Sequence, residues 1–189
     1  MALSKIDAAN FLDGTLPDTN INNASLDNVT GLPAGVGGKV LQVVQTFKSD
    51  AFSSTSDGFF DITGLSVAIT PSSVSNKILV ISDLAIGSSD INAYNHGFKV
   101  LRDATDIGIS TAGSTNFSGG VNMYLSGGQY AWLFGNMKMF LDSPSTTSAI
   151  TYKIQGTKIG ADGTFYVNRK GSDTTIGGTS AITVMEISA

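Results

Sequence analysis

"GLSVAITPSSVSNKILV", residues 64–80, changes its rule twice in a short span. In its first part Leu65, Val67 and Ile69 alternate with Ser66, Ala68 and Thr70, so an extended chain is apolar on one face and small or polar on the other. Pro71 cannot donate to a strand ladder and stops the run, and a polar link carries the chain across to the next one. That second run, "KILVISDLAI" (77–86), is apolar on both faces until Ser82 and Asp83, as expected of a strand in the middle of a sheet or against another subunit. A strand wet on one side leads into one that is dry on both, which is the pattern of a β-sandwich.

The same pattern runs through most of the chain. "KVLQVVQTF" (39–47) has no charge inside the run and reads as covered on both faces. Further strands are predicted in "GFFDI" (58–62), "LSVAIT" (65–70), "GFKVLRD" (97–103), "QYAWLFGNMKMFLD" (129–142), "SAITYKIQGTKI" (148–159), "TFYVNRK" (164–170) and "AITVMEIS" (181–188). Turn residues separate them at the intervals of an all-β sandwich or barrel, and no long helical period competes. Composition agrees, since the 189 residues are 41% hydrophobic and only 14% charged, with 22 glycines and a single glutamate, Glu186.

The net charge of −4 and eleven scattered Lys and Arg make no basic stripe, which argues against a nucleic-acid partner. No segment reaches the roughly 18 apolar residues of a membrane helix, so membrane insertion is not expected. Without cysteine, stability must come from packing or association. "MALSKIDAANF" lacks the basic start and apolar stretch of a secretory signal.

Residues 1–38 follow a different rule. Phe11, Leu16, Ile21 and Leu26 recur every fifth position, which fits neither the strand period of about 2 nor the helical period of about 3.6. This predicts an extended tract that turns one apolar side chain inward per segment and, being too small for a core, anchors on sister copies or a docking surface; the alternative is a disordered linker whose spacing is chance. "TGLPAGVGG" (30–38) reads as the hinge before a head spanning 39–189.

"GKVLQVVQTF", the series "F-DITGLSVAITPSSVSNKILV" and the ending "ITVMEI" resemble the C-terminal domains of bacteriophage fibre and other virion appendage proteins of the marine and cyanobacterial phage type. Those heads are jelly-roll trimers similar to C1q and tumour-necrosis-factor-like domains. The resemblance covers residues 38–189 and implies a homotrimeric virion structural protein, without enzymatic activity. It would join other virion proteins through residues 1–38 and meet a host-surface glycan or outer-membrane receptor with its head. The chain has no long shaft, no collagen-like repeat and no heptads, so a capsid decoration or head-fibre protein stands beside the tail-fibre reading. A polysaccharide-degrading tip is a third, weaker reading.

Few residues suggest chemistry. His96, the only histidine, is expected in a loop or at an interface, where a threefold axis would gather its copies; no metal site, cofactor or catalytic residue is assigned. The pairs Asp57 with Asp61 and Asp103 with Asp106 have the spacing of turn aspartates more than of a glycosidase pair. Binding is expected in the polar connections that carry Tyr94, Asn95, Asn116, Phe117 and Tyr124, the longest of them spanning 108–129. Asn116 also heads an N-x-S match, as Asn23 and Asn28 do N-x-S/T matches, which matter only in a secretory protein. Glu186 shares a face with Val184 and, if buried, calls for a Lys or Arg partner or a subunit junction; otherwise it faces water on an edge strand.

Overall fold

The computed structural model describes residues 39–89, 93–113, 115–124, 132–159, 163–171 and 175–189. The anchoring tract with Phe11, Leu16, Ile21 and Leu26 lies outside the described residues. Among the described residues eleven strands form, in chain order: β1 Val40–Lys48, β2 Phe52–Ser54, β3 Phe60–Ile69, β4 Lys77–Ser88, β5 Ala93–Arg102, β6 Thr105–Ile107, β7 Gly119–Tyr124, β8 Trp132–Asp142, β9 Ile150–Lys158, β10 Phe165–Val167 and β11 Ser180–Ile187.

They build two antiparallel sheets. In the first, β1 pairs β11 and β11 pairs β4; β8 takes the other edge of β4, and β10 with β2 continues from its far end. In the second, β3 pairs β9 and β9 pairs β5, while β6 and β7 share the remaining edge of β5 end to end. The main strands thus run β1-β11-β4-β8 and β3-β9-β5-β7, the strand order of a jelly roll. The fold is an all-β jelly-roll sandwich.

The opening stretch divides as its pattern demands. Leu65, Val67 and Ile69 are buried while Ser66, Ala68 and Thr70 are exposed, and β3 ends just before Pro71. β4 lies in the middle of the first sheet and sends Ile78, Val80, Leu84 and Ile86 into the core, which they share with Phe98, Tyr152 and Ile154 of the second sheet and Phe165 of β10. Two polar clusters close the sandwich. At one side Arg102 donates to both oxygens of Asp142 at 2.9 and 2.8 Å, and the Tyr152 hydroxyl donates to the same carboxylate at 2.7 Å, which joins β5, β8 and β9. Burial and the Asp142 hydrogen bond hold the Tyr152 hydroxyl well above its ordinary pKa. At the other, Asn168 adopts a left-handed φ of 62° that asparagine tolerates, and its amide reaches Lys48 O, Asp50 O and the Ser180 hydroxyl.

Several expectations change. β1 is an edge strand with one open face, not a strand covered on both sides. "GFFDI" and "LSVAIT" are one strand broken by a bulge. The supposed loop over 108–129 contains β7, and Tyr94 and Tyr124 hold ladder positions opposite Met123 and Ala93. His96 is a buried β5 residue, its ring 5.1 Å from that of Phe165, and neither a loop nor an exposed interface residue. Glu186 is buried in a central strand and faces no lysine or arginine among the partners that hold its carboxylate.

Candidate functional site

The outward face of the first sheet is the largest feature that folding leaves unexplained. Strand register sets its residues in three rungs: Val43–Met185–Leu79–Leu141, Gln45–Thr183–Ile81–Met139 and Phe47–Ala181–Asp83–Met137. The alternate residues of β4 and β11 fill the core, so these must point away from it. Met137, Met139 and Phe47 are 66%, 63% and 60% exposed. Four strands spaced by about 4.8 Å and three rungs of about 6.8 Å give a footprint on the order of 400 Å². Contiguous apolar patches of a few hundred Å² are often functional surfaces. Asp83 is the only charged side chain within the three rungs. Leu141, Met139 and Met137 carry the apolar face out to β8, whereas Phe134 is in register with the core-facing Ile86 and lies on the other side of the sheet.

The outward face of the second sheet is of another kind. Phe117 lies over Gly97 of β5, so close that a Cβ on that glycine would sit 2.4 Å from the ring. Ser110 N–H donates to the Phe117 carbonyl at 3.0 Å, which folds the 108–118 connection back over the sheet. The Phe59 ring stands 6.1 Å from that of Phe117, with the Lys99 ammonium 4.1 Å above it. Lys99 also pairs with Asp106 at 2.7 Å. Of the residues expected to bind, Phe117 therefore meets Phe59, which the sequence reading left among plain strand residues. Asn116 is half-buried and its Oδ1 accepts from Gly113 N–H; Asn95 is half-buried on β5, where its carbonyl accepts from Ile159 N–H. Asn95 and Asn116 thus bond to different partners and not to each other.

The aspartate pairs resolve into separate tasks. Asp57 pairs with Lys158 at 2.7 Å, while Asp61 accepts from Lys153 at 2.9 Å and from Gln155 at 2.7 Å. The Gln155 and Lys153 hydrogen bonds hold Asp61 below the usual carboxylate range. Asp103 occupies the β5–β6 turn with a left-handed φ of 53° and accepts from Thr151 N–H, while Asp106 pairs with Lys99. Among the described residues no group of three or more His, Cys, Asp or Glu side chains is placed to hold a metal ion.

Glu186 lies at the base of the apolar face but on the core side of β11, 1% exposed. Its Oε1 accepts from Ser72 N–H, the Ser72 hydroxyl and Asn76 Nδ2 at 2.7, 2.8 and 2.6 Å, and its Oε2 from Gln42 Nε2 at 2.6 Å. Burial alone would raise its pKa, but the bonds from Asn76, Gln42 and Ser72 outweigh it and leave the carboxyl at about 2. The polar link of the opening stretch thus wraps the only glutamate of the chain.

No protein-family profile and no curated protein sequence matches the chain. Among solved structures it is similar to infectious bursal disease virus of the Gt strain, at 16% identity and a TM-score of 0.34 over 78% of this chain and 38% of that one. It is similar also to T=1 particles derived from infectious bursal virus, at 17% identity and a TM-score of 0.36 over 78% of this chain and 36% of that one. The matched region is thus well under half the length of those viral chains.

Proposed function

We propose that this chain is a non-enzymatic virion structural protein, a homotrimeric phage tail fibre or spike whose jelly-roll head meets the host surface while residues 1–38 join other virion proteins. The observation that carries the reading is the open apolar face of the first sheet. Pairing that face with itself about a twofold axis would bury about 400 Å² per copy, half of the roughly 800 Å² per partner of a standard interface. A closed ring of three gives every copy two contacts, so that each face is shared between two neighbours. Sequence motifs that resemble phage appendage heads supply the virion setting.

Light scattering on the full chain tests the assembly: a trimer is expected, and a stable monomer at micromolar concentration overturns it. The capsid decoration reading shares the trimer and differs in consequence. Particles lacking the protein should keep their heat stability and lose host adsorption if it is a fibre; the reverse result makes it a shell-reinforcing protein. The polysaccharide-degrading reading gains nothing from the aspartates, which serve ion pairs and turns.

A further inference from the structure

The bulge in β3 builds a second surface feature. Between the pairs Asp61↔Gln155 and Ser66↔Lys153, five steps along β3 answer two along β9. Ile62 and Leu65 both turn into the core, so Thr63 and Gly64 are pushed outward, with Gly64 at a φ of 85° that favours glycine. The displaced strand opens a notch of about 340 Å³, walled by Asp61, Thr63, Ser66, Thr151 and Lys153 together with the backbone of the bulge. That volume falls at the small end of ligand pockets, which run from about 300 to 1,000 Å³. β-Bulges are over-represented beside binding and active sites.

The chemistry of the walls narrows the ligand. Asp61 is an ionised acceptor, aimed by one donor on each oxygen: Gln155 on Oδ1 and Lys153 on Oδ2. Thr63, Ser66 and Thr151 contribute hydroxyls, which both donate and accept. The Lys153 charge is already balanced by Asp61, and Lys99 by Asp106, so the site holds no spare cation to draw an anionic ligand. Phe59, just before β3 and two residues from Asp61, is turned to the same outer face by its contacts with Phe117 and Lys99 and leaves 38% of its surface exposed about 7 Å from Asp61, outside the walls of the notch. Paired donors and acceptors beside an apolar ring match the vicinal hydroxyls and C–H face of a sugar.

We propose that the β3 notch, with Phe59 at its rim, binds one or two residues of a neutral saccharide. This rests on the host-glycan part of the reading above and moves its site from the 108–129 connection to the outer face of the second sheet. The test is saturation-transfer NMR and calorimetry on the full chain with glucose, galactose, mannose, N-acetylglucosamine and their disaccharides. Monovalent sugars make the result independent of trimer avidity. Binding by the unaltered chain is expected for at least one of them, with a loss of tenfold or more in Asp61→Ala and in Thr63→Trp. Phe59→Ala should lose severalfold, and Met139→Lys on the opposite face should stay within twofold. Thr63 is exposed, so filling the notch with tryptophan leaves the core intact and answers for any misfolding of Asp61→Ala, which circular dichroism would reveal. Binding that Thr63→Trp leaves within twofold overturns the site while the glycan reading stands. An absence of binding across the panel overturns both, and leaves the trimer to be judged by light scattering alone.

Discussion

Glu186 is a buried carboxylate held entirely by neutral donors, three of which lie in the link between β3 and β4. Its folded pKa of about 2 lies below the ordinary 4.5, so the stabilisation it gives is complete above pH 4.5 and is lost as pH falls toward 2. Gln42 and Ser72 reach the surface and water screens that end of the cluster, which limits the effect to on the order of 1–3 kcal/mol. Thermal melts at pH 7 and pH 3 should therefore differ more for the native chain than for Glu186→Gln. At pH 7 that variant turns an amide N–H₂ toward a donor and should cost about 2 kcal/mol, a drop of roughly 4–8 °C in Tm. Ser82 predicts the opposite sign. Its hydroxyl is buried in β4 with no hydrogen-bond partner among the described residues, so Ser82→Ala should be neutral or stabilising by up to about 1 kcal/mol in the same melts. Strand alternation puts Glu186 on one face with Val184 and leaves open whether that face is buried or meets water. It could not show that Ser72, Asn76 and Gln42 converge there, because that convergence arises only when the first sheet is assembled.

At the scale of elements, legibility followed length. β4, β8, β9 and β11 each carry enough alternating or doubly apolar residues to reveal a period, and all stand close to their expected places. β2 and β6, of three residues each, have no period to read, and β7 opens on two glycines, which weaken any strand signal. The β3 bulge was hidden for a related reason: "FFDITGLSVAI" reads as two strands around a glycine, and only pairing with one continuous β9 shows them to be one. The contact of Phe117 with Gly97 was likewise out of reach, since the two are brought together by β5 and β7 pairing. It gives a prediction. Gly97→Ala would place a methyl 2.4 Å from the ring and lift the 108–118 connection from the sheet. Limited proteolysis should then cut that connection at least severalfold faster, with the circular dichroism spectrum unchanged; an unaltered rate would show that Phe117 does not hold it down.

At the scale of the molecule the two sheets present opposite characters, one outer face apolar and the other carrying ion pairs and the Phe59–Phe117 contact. On the proposed trimer reading, Met139→Lys, at the β8 end of the middle rung, should shift the assembly to monomer by light scattering with little change in its β-sheet spectrum, since that side chain contributes nothing to the core. Because Asp83 is the only charge in those rungs, the native assembly should persist at about 1 M salt, where pairings between exposed charges are screened.

The first and last residues of the head lie side by side: Ser188 N–H donates to Lys39 O at 2.8 Å, and Ala189 N–H to Asn76 Oδ1 at 3.2 Å. A peptide or reporter grafted after Ala189 would therefore sprout next to Lys39, and a long one would crowd the point where the head receives its incoming chain. Cargo meant to stay clear of Lys39 belongs instead in an exposed turn such as Asp103–Ala104.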